Sequence, residues 1–109
     1  MLTSSYAVQF VQGMQGPQPT EHLKVSACLK HAFAYSEEDG RNGFAAVVTK
    51  QDMNDTYMPT FKAGVQEGRA SGLMCSYNEV NGVPMCGNKE LLNDTVRGKW
   101  GFDGYITTE

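Results

Sequence analysis

Four side chains in this 109-residue chain could do chemistry on a ligand: Lys30, His31, Tyr77 and Glu109. Lys30 and His31 are adjacent. Lysine brings a compact positive charge with three donors, and histidine donates or accepts, so the pair could grip neighbouring hydroxyls. Tyr77 lies in Met74-Cys75-Ser76-Tyr77-Asn78 and could offer an aromatic face and a hydroxyl. Glu109 could act as a nucleophile or an acid/base, the work carboxylates do in glycoside cleavage. Each has an ordinary alternative. Lys30 could be solvated and His31 a core histidine, Tyr77 could pack in the core, and Glu109 could be a solvated charge. Residue type alone leaves these alternatives open. Asn78 and Asn81 read as turn-forming residues. The acids Glu37, Glu38 and Asp39 read as solvated loop surface, and Gly40-Arg41-Asn42-Gly43 lacks the strand–turn–helix setting of a phosphate loop.

Cys28, Cys75 and Cys86 are the three cysteines. They lack the paired short spacings of a structural zinc site, so no metal is expected. Asn81-Gly82 and Pro84 lie between Cys75 and Cys86 and suit a turn that could bring the two sulfurs together. A Cys75–Cys86 disulfide and two reduced thiols both remain open. Asn54-Asp55-Thr56 and Asn93-Asp94-Thr95 are glycosylation sequons, which matter only on a secretory route.

Bulk composition excludes several classes. Hydrophobic residues make up 40% and aromatics 10%, which argues for a globular chain rather than a disordered one. A formal net charge of −3 gives no electrostatic footprint for nucleic acid or for an anionic membrane surface. No run approaches the roughly 20 apolar residues of a membrane span. Met1-Leu2-Thr3-Ser4-Ser5 has neither the charged nor the apolar segment of a signal peptide.

Alternating elements must position these residues. Ala7, Phe10, Val11 and Met14 mark a helix over Ser4–Met14, capped by Thr3 or Ser4 and ended by Gly13, Gly16 and Pro17. Leu23–Leu29 reads as a buried strand with Lys30-His31 at or just past its end. Residues 36–43 form a polar loop, and Phe44–Val48 a short edge strand or an extended approach to the next helix. Thr49 and Asp52 form a variant capping box for a helix carrying Met53, Tyr57, Phe61 and Val65, which Pro59 should kink or split before Gly68 ends it. Gly72–Ser76 is a second strand. Asn88 can cap a third helix through Leu91, Leu92, Val96 and Trp100, and Tyr105–Thr108 begins a third strand. Strands alternating with helices imply right-handed parallel crossovers, in a (β/α)8 barrel or a doubly wound sheet.

Several segments together resemble one family. Ala27-Cys28-Leu29-Lys30-His31, Phe44–Val48, Gln51–Tyr57, Met74–Asn78 and Leu91-Leu92 through Trp100-Gly101 look like the catalytic barrel of the family 3 glycoside hydrolases, nearest the β-xylosidase branch. The resemblance runs from Tyr6 to Glu109. It implies a partial (β/α)8 TIM-barrel arc of about three parallel strands and three helices, with residues 1–109 a fragment of the N-terminal barrel domain. The remainder of the barrel and a second domain would then be missing.

The activity implied is retaining hydrolysis of terminal β-linked xylose from xylooligosaccharides, with no metal or organic cofactor, by a secreted parent protein. A β-glucosidase of the same family is the alternative, as is a non-catalytic copy that at most binds sugar. Lys30 and His31 would bind the sugar, Tyr77 would lie beside the nucleophile, and Glu109 falls where the family has an aspartate nucleophile. The extra methylene moves the carboxylate by about 1 Å, a shift that can cost on the order of 100-fold in rate. The family's acid/base residue would lie beyond Glu109, so the isolated chain is expected to be inactive.

Overall fold

The computed structural model describes residues 1–109. Three parallel strands form its centre: β1 (Cys28–Ala32), β3 (Gly72–Cys75) and β6 (Tyr105–Thr108), side by side in that order. Cys28 lies opposite Gly72, and Gly72 opposite Tyr105, so all three strands start at one level and point the same way. Helical connections link them, as parallel pairing requires. This is the α/β barrel-type arc the sequence implies.

β1 is shifted relative to the sequence expectation. It begins at Cys28 and contains Lys30 and His31, whereas Leu23 and Val25 lie outside it and are exposed. Its register with β3 shifts between Leu29 and Ala32, and the Lys30–His31 and Ala32–Phe33 peptide bonds are cis. The irregularity falls at the candidate site residues.

α1 (Leu2–Gln15) also turns a different face inward. Val8, Val11 and Gln15 are buried, while Phe10 and Met14 are exposed. The expected side-chain cap is absent and the helix starts at Leu2. The reason lies in Gln15, which is 1% exposed. Its Nε2 donates to the Arg69 carbonyl at 2.8 Å, and its Oε1 accepts from Ala27 N–H at 3.2 Å and Ser71 N–H at 2.9 Å. A buried amide satisfied on three sides fixes the rotation of the helix more firmly than two exposed apolar side chains can oppose.

Thr49 Oγ1 accepts from Asp52 N–H at 3.0 Å and donates to the Asp52 carboxylate at 2.7 Å, so Thr49 caps the helix and holds the Asp52 side chain, one half of the expected capping box. α2 (Lys50–Asp52) runs into a wide turn, Met53–Tyr57, and α3 (Pro59–Gln66) restarts at Pro59. Proline at the first helical position loses no hydrogen bond, which is why the split falls there. The last helix, α4 (Glu90–Lys99), is wound with π-type spacing, and Asn88 Oδ1 accepts from Leu91 N–H at 3.0 Å at its start.

A second small sheet goes beyond the sequence reading. β2 (Ala45–Ala46) pairs in parallel with β4 (Glu79–Val80), which pairs antiparallel with β5 (Val83–Pro84). The β4–β5 hairpin turns through Asn81 and Gly82, at φ of 51° and 80°, the conformation that favours Asn-Gly in two-residue hairpins. Asn81 then bonds both Val48 N–H and Val48 C=O, at 2.8 and 2.9 Å. Its role is structural, as its type suggested.

The main core centres on Phe33, fully buried, with edge-to-face contacts to Phe61 at 5.0 Å and Trp100 at 6.0 Å. Leu73, Met85 and Val96 share it. Phe33 directly follows β1, so burial of this ring also anchors the end of the strand that carries His31. Two glycines permit close strand approach: a Cβ on Gly72 would run into the Tyr105 ring, and one on Gly104 into the Ser71 carbonyl.

Candidate functional site

The carboxyl ends of the three parallel strands bring two of the sequence candidates together. His31 Nε2 lies 3.3 Å from Glu109 Oε1, with the side chains 22% and 15% exposed. His31 comes from β1 and Glu109 follows β6, so tertiary structure places in contact two groups 78 positions apart in sequence. The other carboxylate oxygen, Oε2, is buried with no protein hydrogen-bond partner. A buried carboxylate oxygen left open is costly and calls for a further partner.

β3, between them, fixes the third side. Ser76 N–H donates to the Ala32 carbonyl at 2.7 Å, and Ser76 Oγ and Asn78 Nδ2 both donate to the Phe33 carbonyl at 3.2 Å. Ser76 and Asn78 are each 1% exposed. They therefore tie the ends of β1 and β3 together, and between them Tyr77 is carried to the surface, 42% exposed. Asn78 acts as a strap through its Nδ2, while its Oδ1 is buried without a protein partner. Cys75 and Cys86 are joined by a disulfide, which links the end of β3 to the segment after the β4–β5 hairpin, while Cys28 is free.

The Lys30 side chain is exposed and forms no hydrogen bond or ion pair with other side chains of the chain. The fold places it in β1 beside His31 without giving it a partner.

One group of residues was passed over in the sequence. The loop after β1 folds back so that Tyr35 OH donates to Glu38 Oε2 at 2.6 Å, and Arg41 Nη1 donates to Glu38 Oε1 at 2.9 Å. The Arg41 guanidinium stands 5.5 Å from the centre of the Tyr77 ring, and the Tyr35 ring 5.2 Å from that of His31. Hydrogen bonding to the Glu38 carboxylate, ahead of any other cause, holds the Tyr35 hydroxyl above its ordinary pKa. The bond to Tyr35 and the charge of Glu38 raise Arg41 further. Glu38 is solvated loop surface, as its type suggested, at 69% exposed, and it also bonds Tyr35 and Arg41. Its spacing to Arg41, three residues, was the available signal.

The whole chain, residues 1–109, matches the family described as "Glycosyl hydrolase family 3 N terminal domain". The chain belongs to glycoside hydrolase family 3. Among curated family 3 proteins it is 45% identical over 119 residues to "Probable beta-D-xylosidase 7" of Arabidopsis thaliana, covering 100% of this chain and 16% of that protein. It is also 45% identical over 115 residues to "Beta-xylosidase/alpha-L-arabinofuranosidase 2" of Medicago sativa subsp. varia, covering 100% of this chain and 15% of that one. Among solved structures, a family 3 exo-β-xylosidase (XlnD) in complex with a xylobiose aziridine activity-based probe superposes with a TM-score of 0.95 at 34% identity, over 99% of this chain and 15% of that chain. β-Glucosidase 3B from Thermotoga neapolitana gives 0.89 at 28% identity, over 97% and 14%. The chain therefore spans about one sixth of the curated relatives it matches. No helix in this family 3 domain is long and apolar enough to cross a membrane.

Proposed function

We propose that this chain is part of the catalytic barrel of a retaining exo-β-xylosidase, with Glu109 as the nucleophile. The observation that carries the reading is the Glu109 carboxylate at the carboxyl ends of the parallel strands. One of its oxygens lies against His31 and the other is buried and open. Such a carboxylate can attack the anomeric carbon of a sugar, forming a glycosyl ester as the C–O bond to the leaving group breaks. The leaving oxygen takes its proton from a carboxylic acid, which the family resemblance assigns to a residue outside these 109. Water then cleaves the ester with that residue acting as base, restoring Glu109 and releasing the sugar with retained configuration. His31 orients the carboxylate, and Lys30, unpaired in the protein, supplies donors to sugar hydroxyls. Tyr77 forms the wall of the subsite. No metal or organic cofactor enters these steps.

Xylose as the sugar is favoured by the β-D-xylosidases among the relatives, and secretion by the parent protein agrees with the disulfide. The β-glucosidases among the structural neighbours support glucose as a second reading.

The test treats the protein carrying this segment in its native context with a xylose-configured aziridine probe, then maps the modified peptide by mass spectrometry. Label on Glu109 is expected, with protection by xylobiose. Label on another carboxylate overturns the assignment of the nucleophile. Reaction only with the glucose-configured probe replaces xylosidase by glucosidase.

A further inference from the structure

Two N-glycosylation sequons stand outside the proposed catalytic machinery, Asn54-Asp55-Thr56 and Asn93-Asp94-Thr95. The structure separates them. Asn54, Asp55 and Thr56 are all exposed, in the wide turn Met53–Tyr57 between the Thr49 cap and the restart at Pro59. Asn93 is exposed as well, but Thr95 is buried on the inner side of α4, and Asp94 is tied to Lys89 at 2.8 and 3.0 Å. Asn54 also lies in the middle of the helical layer rather than at its edge. α3, which follows it, is bonded to α1 by Gln12 Nε2 donating to the Glu67 carbonyl at 3.1 Å. It is bonded to the end of α4 by Gln66 Nε2 donating to the Trp100 carbonyl at 3.4 Å. With the strands in the order β1, β3, β6, right-handed crossovers set α1 and α4 on its two flanks, so the helices beside it are those of this chain. The groove between Asn54 and α4, about 1220 Å³, is lined by Lys50 and Pro59 on one side and Lys89 and Leu91 on the other, and not by His31, Tyr77 or Glu109.

We propose that Asn54 carries an N-linked glycan in the parent protein. This rests on the secretory reading given above, which the Cys75–Cys86 disulfide supports. The acceptor must offer an asparagine amide, a hydroxyl two residues on, and a middle residue other than proline. Asn54, Thr56 and Asp55 supply them. The donor is an oligosaccharide held on a lipid diphosphate through C1 of its terminal N-acetylglucosamine. A C–N bond forms from Asn54 Nδ2 to that carbon as its C–O bond to the diphosphate breaks. The lipid diphosphate departs as the anion, and the amide nitrogen gives up one proton to a base of the transferase. The folded chain must then carry a bulky, solvated group. Asn54 meets that demand from the open groove, while the buried Met53 and Met58 hold the backbone on either side of the sequon. Thr95, by contrast, is committed to the core once α4 forms, which withdraws its hydroxyl from an enzyme acting on the chain.

The test takes the protein carrying this segment in its native context, digests it with trypsin without reduction and maps the peptides by mass spectrometry. Cleavage after lysine and arginine separates the two sequons, placing Asn54 in Gln51–Lys62 and Asn93 in Glu90–Arg97. Gln51–Lys62 is expected to carry a glycan that begins with N-acetylglucosamine, and Glu90–Arg97 to be found mainly bare. Thr56→Ala, expressed through the same route, should lose the glycan completely while keeping Asn54, and Thr56→Ser should retain it. A bare Gln51–Lys62 in protein whose Cys75 and Cys86 are joined overturns the proposal and leaves the secretory reading standing. A bare peptide with both cysteines free removes the secretory reading, and the glycan with it. Glycan on Glu90–Arg97 alone overturns the choice of Asn54. Glycan on Gln51–Lys62 that survives Thr56→Ala is attached through another side chain and overturns it too.

Discussion

The two ends of the central sheet solve opposite problems. At the amino ends, Ser26, Ser71 and Tyr105 bring their hydroxyls together at 2.7 and 3.1 Å, and the backbones of β3 and β6 close in over Gly72 and Gly104. Every polar group in that cluster has a partner. At the carboxyl ends, Glu109 keeps a buried oxygen without one, β1 loses its regular register, and Tyr77 and Arg41 stand in solvent. In a barrel of this kind the first pattern stabilises and the second reacts. Satisfied contacts leave nothing for a ligand, whereas Glu109 Oε2 is buried without a protein partner, the feature on which the proposed nucleophile rests.

The sharpest break of this comparison is Glu109→Gln. It should lower activity on the order of 10³-fold or more by removing the nucleophile. Thermal stability should change little, because Oε2 has no protein hydrogen bond and the glutamine oxygen can still face His31; a large drop in Tm would make Glu109 a structural residue after all. Glu109→Asp tests the extra methylene in the same assay.

At the other end, Gly72→Ala should destabilise by about 1–3 kcal/mol, since the new methyl meets the Tyr105 ring. Tyr105 is 48% exposed and can swing outward, which bounds the cost but breaks its contact with Ser26. Activity per labelled site should stay within about twofold, as a stabilising end predicts. A large loss at full labelling would merge the two ends into one functional unit.

The smallest effect concerns alkaline pH. Tyr35 is an acid whose folded pKa is raised by its bond to Glu38, so the folded chain holds that proton to higher pH than the unfolded chain does. The bond's stabilisation is therefore complete below about 10, the ordinary tyrosine value, and is lost as pH rises through the raised value. Melts of the native protein between neutral and strongly alkaline pH should fall more steeply than those of Tyr35→Phe, which still carries the other tyrosines. Parallel curves would show that the clasp of Tyr35, Glu38 and Arg41 adds nothing to stability.

Much of this was legible in the residues. The order of strands and helices, the break at Pro59, the caps at Thr49 and Asn88 and the Asn81-Gly82 turn all depend on local chemistry, which sequence carries directly. The start of β1 and the inner face of α1 were not. Leu23, Val25, Phe10 and Met14 are apolar by type but exposed in place, and in α1 a single glutamine, Gln15, sets the inner face through bonds to Arg69, Ala27 and Ser71. The Cys75–Cys86 link stood open in the sequence because spacing says only that two sulfurs could meet.

The sequence by itself determined the family, the kinds of side chain available to it and the glutamate in place of the expected aspartate. Only the tertiary structure decided which groups meet: Glu109 against His31, Arg41 over Tyr77, Tyr35 between them, and Lys30 with no partner. Those contacts join strand ends and a loop through parallel crossovers and long-range pairing. The Glu109–His31 and Arg41–Tyr77 pairs lie 78 and 36 positions apart, so strand pairing and packing, not chain neighbours, bring them together.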